Sequence, residues 1–77
     1  MMEVVDVLVC ALVDNPEAVE VEEMSQHGNT VHIEVRVAPG DIGKVIGKQG
    51  RIANAIRTVA NTAAARQNLR AIIDFTS

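Results

Sequence analysis

Two glycines three residues apart enclose a lysine and a glutamine: Val45-Ile46-Gly47-Lys48-Gln49-Gly50-Arg51-Ile52. A glycine lets another backbone approach closely and enters left-handed conformations at little cost. Lys44, Lys48, Arg51 and Arg57 put positive charge into the same stretch. These types at this spacing can hold an anion. A helix beginning near Arg51 would offer unpaired main-chain N–H groups and the positive end of its dipole. Lys48 and Gln49, at the tip of a turn, would reach a phosphate or a sugar. Two familiar phosphate-binding patterns do not fit. In the P-loop pattern, Gly43 and Gly47 are one residue too close and Gln49 replaces the metal-binding hydroxyl; the dinucleotide fingerprint lacks its G-x-G. The pattern that fits is a G-x-x-G turn joining two helices.

Other chemistry finds little support. His27 falls in a turn and His32 on the polar face of a strand, and neither has a partner arrangement that reads as a triad or metal site. Cys10 is the sole cysteine, so no internal disulfide is possible, and it reads as a small core hydrophobe. No Cys/His cluster has zinc spacing, so no metal or cofactor is expected, and no enzyme. The longest apolar run, Val7 to Val13, is too short to span a bilayer. Glu3 and Asp6 precede it where a signal peptide would carry Lys or Arg, so the expected compartment is the cytoplasm.

The formal net charge of −3 argues at first against a nucleic-acid partner. Its distribution argues the other way. Residues 1–35 hold eight acids and no Lys or Arg, whereas residues 36–77 hold all seven bases and only Asp41 and Asp74 as acids. A phosphate feels the field within a Debye length of about 8–10 Å, not the whole-chain sum. The C-terminal half is therefore the candidate anion-binding half.

The elements that must position these residues follow from periodicity. Val4, Val5, Leu8, Val9, Leu12 and Val13 form a helical stripe over residues 3–14, closed by Asn15-Pro16. Residues 18–25 alternate as a half-buried strand, and Gln26–Asn29 reads as a hairpin turn. Val31, Ile33, Val35 and Val37 then mark one face of a second, antiparallel strand. Pro39-Gly40 ends it, and Asp41 is placed to cap a short helix from Ile42. After the turn, Ile52, Ala55, Ile56, Val59, Ala60 and Ala63 define an amphipathic helix to about Ala65. Leu69, Ala71, Ile73 and Phe75 share one face of a last strand. The order is α-β-β-α-α-β over residues 1–77, with one thin aliphatic core. The expected fold is α+β: a three-stranded sheet with helices on one face. The two-helix crossover makes the last two strands parallel, so the sheet is mixed.

This element order, with the complete aliphatic-Ile-Gly-Lys-Gln-Gly-Arg-Ile sequence between two helices, resembles the type II (prokaryotic) K-homology, or KH, domain. The whole chain is similar to the small bacterial single-KH proteins of the KhpA-like family. The resemblance implies a non-catalytic RNA-binding protein, an RNA chaperone or regulator of the cytoplasm. It implies dimers, formed with itself or with a larger KH protein of the Jag/KhpB type. Gly47, Lys48, Gln49 and Gly50 would clamp a single-stranded RNA backbone, with Lys44 and Arg51 beside them. Ile42, Val45, Ile46, Ile52, Ile56 and Ile72 or Ile73 would line a groove for bases resting on aliphatic side chains. That agrees with Phe75 being the only aromatic residue. For at least two of Ile46, Ile52 and Ile56, plain core packing is the better reading, because groove floors and cores share the same helix faces. The alanines at 60, 63, 64 and 65 mark a dimer contact or simple helix propensity. The rival function is a scaffold domain that dimerises without touching RNA, which the acidic half favours slightly.

Overall fold

The computed structural model describes residues 1–77. Helix α1 spans Met2–Leu12, strand β1 Glu20–His27, strand β2 Thr30–Arg36, helix α2 Ile42–Ile46, helix α3 Arg51–Ala65 and strand β3 Arg70–Thr76. Short 3-10 turns at Pro16–Ala18, Pro39–Asp41 and Lys48–Gly50 join them. The sheet runs β1-β2-β3, antiparallel between β1 and β2 and parallel between β2 and β3. Order and mixed sheet are those read from the sequence.

The core is aliphatic and lies between the helices and one sheet face. Val5, Val9 and Val13 recur every fourth residue and are buried, although Val13 is already extended. They meet Val31, Ile33 and Val35 of β2 and Ala71 and Ile73 of β3. Each buried Val or Ile contributes about 1.5–3 kcal/mol by leaving water. Ala60 and Ala64 are wholly buried in the same cluster. Their small side chains let α3 lie close on the sheet, which argues for core packing rather than a dimer contact at these two positions. Ala63 is half-buried and Ala65 exposed.

Local details differ from the sequence expectation in instructive ways. Strand β1 continues through Gln26 and His27, leaving a two-residue loop, Gly28-Asn29, with Gly28 at φ 61°. The register slips between Glu23 and Ser25, so Met24 is the extra residue of a bulge. That slip breaks the alternation that would have carried the strand past Ser25. Along α3, only half of the apolar stripe reaches the core: Ile56 and Ala60 are buried, whereas Ala55 and Val59 are exposed.

The open edge of β3 is closed by side chains of α3. Arg70 N–H donates to Asn29 O at 2.8 Å, and Thr76 O accepts Val37 N–H at 3.0 Å, so even-numbered β3 residues turn their main chain toward β2. Odd-numbered ones turn outward. There Asn61 Oδ1 accepts Ala71 N–H at 2.9 Å and Asn61 Nδ2 donates to Ala71 O at 3.0 Å. One amide thus replaces a neighbouring strand at an edge that would otherwise invite pairing. Arg57 donates to Ile73 O from Nε at 3.2 Å and from Nη2 at 3.1 Å.

Candidate nucleic-acid interface

The turn between α2 and α3 is built by backbone geometry. Gly47 N–H donates to Gly43 O at 3.0 Å and closes α2, and Gly50 N–H donates to Gly47 O at 3.2 Å and closes the turn. Three residues in four have positive φ: Gly47 at 74°, Gln49 at 57° and Gly50 at 73°. For Gln49 this left-handed conformation costs roughly 1–2 kcal/mol, since its Cβ crowds the main chain. The consequence is that Lys48 and Gln49 stand out into solvent at the tip.

The two glycines do different work. A Cβ on Gly47 would lie 2.6 Å from Ile52 Cγ1 and 2.9 Å from Ile52 Cβ. The side of Gly47 that seemed free for a ligand is taken by Ile52, which folds back over it. Around Gly50 the nearest atom to such a Cβ is Asn54 Nδ2, at 4.0 Å. Gly50 is the glycine whose Cα leaves room for another backbone to approach. It is also the N-cap of the fifteen-residue α3, where no side chain caps the first N–H groups.

The cations divide in the same way. Lys48 is exposed and pairs with no carboxylate. Arg51 is exposed and donates from Nη2 to Gln49 Oε1 at 3.3 Å, so it leans along the turn. Lys44 is engaged elsewhere: its ammonium lies 2.6 Å from Asp14 Oδ2 and 3.2 Å from Asp41 Oδ1. The Asp14 bond first, then the Asp41 bond, hold its pKa above the ordinary lysine value. Arg57 is held on Ile73 O and lies over the Phe75 ring, 5.3 Å from its centroid.

Asp41 corrects a sequence expectation. It precedes α2 but makes no side-chain cap. Its carboxylate instead accepts Asp14 N–H at 3.3 Å, Asn15 N–H at 3.0 Å, Asn15 Nδ2 at 3.2 Å and Lys44 Nζ at 3.2 Å. It is the one buried charged residue, 1% exposed. Burial by itself would push the carboxyl up, but the four donors outweigh it and hold its pKa below the ordinary aspartate value. The sequence shows an Asp before a short helix, which is a local cap signal; donors 26 and 27 residues away leave none.

The aliphatic residues read as groove or core also separate. Val45 and Ile56 are core, and Ile42, Ile46 and Ile52 are half-buried. Ile73 points into the core at 2% exposed, while Ile72, 38% exposed, points to the open face of the sheet. A second apolar feature was not read from the sequence. Leu8 and Leu12 of α1 face Ile52, Ala55 and Val59 of α3 across an open groove of about 380 Å³. The exposed half of each helical stripe is its signal, visible only when both helices are set side by side. No group of three His, Cys, Asp or Glu side chains could hold a metal ion. No helix is long and apolar enough to cross a membrane.

Residues 2–75 match the family model of the KhpA/KhpB KH domain. The chain belongs to the KhpA/KhpB family. Its α-β-β-α-α-β order and mixed sheet are those of a type II KH domain. Among similar members of the family, "RNA-binding protein KhpA" of Caldanaerobacter subterraneus subsp. tengcongensis is 54% identical over 75 residues, covering 97% of this chain and 99% of that protein. "RNA-binding protein KhpA" of Clostridium perfringens is 46% identical with the same coverage. The Aquifex aeolicus protein of that name is 40% identical, covering 97% of this chain and 94% of its own. No solved structure matches the chain. Every candidate residue from Lys44 to Ile52 lies inside the matched KhpA/KhpB region.

Proposed function

We propose that the protein binds single-stranded RNA without catalysis, as a chaperone or regulator, gripping the sugar-phosphate backbone at the Gly47–Gly50 turn. The observation that carries the reading is the turn itself. It sets an unpaired, exposed Lys48 beside Gly50, whose Cα has open space where a side chain would lie, at the start of α3, which no side chain caps. The positive end of the α3 dipole and a lysine there answer the charge of a phosphate. Arg51 adds a second cation. That curated relatives near full length are named RNA-binding proteins supports the same reading. The acids Glu20, Glu22 and Glu23 sit on β1, two strands from β3, and so roughly 10 Å from that edge.

The test is a Lys48→Asp/Gln49→Asp double variant, with binding of a short fluorescent single-stranded RNA followed by anisotropy. Affinity falls by tenfold or more, because two charges of the wrong sign now face phosphate, while circular dichroism stays unchanged because both side chains are exposed. Unchanged affinity would remove the clamp assignment.

A second reading concerns partners. The groove of Leu8, Leu12, Ile52, Ala55 and Val59 is almost wholly apolar and unpartnered. It supports a homodimer, or pairing with a larger KH protein of the KhpB type, as the means by which one weak RNA site gains avidity. Dimerisation without RNA contact is the scaffold alternative, and the same RNA measurement on the wild type separates the two.

A further inference from the structure

We infer that Asp41 is a positioning residue for the Gly47–Gly50 turn, and that Lys44 acts with it rather than on a ligand. The inference rests on the RNA-binding reading for its effect on affinity, but not for its effect on the turn.

Helix α2 is only five residues long. A helix so short has no stability of its own, because nucleation costs more than its few hydrogen bonds return. Tertiary contacts must hold it; Ile42 packs partly against the core, and Val45 and Asp41 are the two buried anchors. Val45 enters the core, 0% exposed. Asp41, at the other end, is tied to the chain leaving α1. Its two oxygens take the main-chain N–H groups of Asp14 and Asn15, the Asn15 amide and the Lys44 ammonium. Lys44 then reaches back to Asp14 Oδ2 at 2.6 Å. Four charged or polar side chains thus lock the start of α2 against the end of α1. Since α2 leads directly into Gly47, whose N–H donates to Gly43 O, this lock sets where the turn begins. The turn carries a left-handed Gln49 and closes on only two main-chain bonds, Gly50 N–H to Gly47 O and Arg51 N–H to Lys48 O. Its shape depends on both helix ends being fixed. Helix α3 is fixed by Ile56, Ala60 and Ala64 in the core. Asp41 does the same for α2.

Lys44 lies within the basic stretch and would ordinarily be counted as a phosphate contact. Its ammonium already faces two carboxylates, so a phosphate arriving there meets a neutralised cation. The two roles separate in the salt dependence. Losing a phosphate contact flattens the plot of log affinity against log salt by about 0.7 per contact on a single strand. Losing a positioning residue lowers affinity by the fraction of time the turn is misplaced and leaves that slope alone.

The experiment compares wild type, Asp41→Asn, Lys44→Met, Asn15→Ala and Lys48→Ala. It measures anisotropy binding of a short fluorescent single-stranded RNA across a range of salt, and amide hydrogen exchange at Gly47 and Gly50 without RNA. Asp41→Asn keeps the shape but turns an amide N–H toward existing donors; Asn15→Ala removes one donor only and remains folded if Asp41→Asn does not. Asp41→Asn and Lys44→Met lower affinity about five- to tenfold with the salt slope of the wild type, and speed exchange at Gly47. Asn15→Ala does the same more weakly. Lys48→Ala flattens the slope and leaves exchange unchanged. A slope for Lys44→Met as flat as that for Lys48→Ala overturns the inference, as does wild-type exchange at Gly47 in both Asp41→Asn and Asn15→Ala. Should the wild type bind no RNA, the functional reading fails by itself, and the exchange rates still decide whether Asp41 positions the turn.

Discussion

At the scale of single residues, Gly47 and Gly50 look alike in sequence and are not alike in the fold. Both have positive φ, so any side chain at either carries conformational strain. Only Gly47 is also crowded, by three carbon atoms of Ile52 within 2.9 Å of a would-be Cβ. Of these, Cβ is fixed by the main chain, and Cγ1 can move only by leaving the one χ1 rotamer that a β-branched residue prefers in a helix. Gly50→Ala is therefore expected to cost about 1–2 kcal/mol of stability. Gly47→Ala should cost that amount and roughly 1–3 kcal/mol more for overpacking. Urea denaturation of the two variants measures the difference. Equal destabilisation would mean that Ile52 does not sit over Gly47. The same distinction bears on function: substitution at Gly50 perturbs an open surface, while substitution at Gly47 perturbs packing beneath it.

Among elements, the most informative junction is that between α3 and the outer edge of β3. Asn61 supplies both an acceptor and a donor to Ala71, and Ala71 is 5% exposed. Removing the amide leaves a buried N–H and a buried C=O without partners, at about 1–3 kcal/mol for an unsatisfied group. Asn61→Ala should destabilise the protein by at least that range, against a few tenths for an exposed helix alanine substitution such as Thr58→Ala. Thermal unfolding compares them, and equal midpoints would show the amide to be dispensable. The two ends of α2 make a second junction. Its C-terminal glycine was legible because a positive φ after a helix is a local demand. The lock at its other end was not, because an aspartate before a helix carries the same sequence signal whether it caps its own helix or accepts bonds from a distant chain segment.

For the whole molecule, the segregation of charge along the chain is only partly kept in space. Arg36 pairs with Glu20 and Glu34, and Lys44 with Asp14, so two of the seven bases are neutralised by acids of the other half. Lys48, Arg51, Arg66 and Arg70 remain exposed without ion pairs. The apolar groove between α1 and α3 is the other global feature. Val59 is 45% exposed and Leu12 39%, on neighbouring helices. If a second copy covers them, Val59→Glu buries a charge in the interface and should shift the protein to monomer at concentrations where the wild type is dimeric, with helix content retained. Sedimentation velocity reads this, and a variant that stays dimeric removes this surface as the interface.

The sequence by itself determined the element order, the mixed sheet and the site of the turn. Each rests on local physics: a period near four in α1 and α3, a period of two in β2, glycine where φ must be positive, and a crossover too long for a hairpin. It also pointed to Gly47–Gly50 as the centre of the proposed site. Only the tertiary structure decided which residues there are free. It gave Lys44 to Asp14 and Asp41, Arg57 to Ile73, and one side of Gly47 to Ile52, and it left Lys48 exposed and the space beside the Gly50 Cα open. Spacing along a chain fixes which face of an element a side chain occupies. Which atom it meets across 16 to 30 residues depends on how the elements pack, and packing is a property of the assembled core.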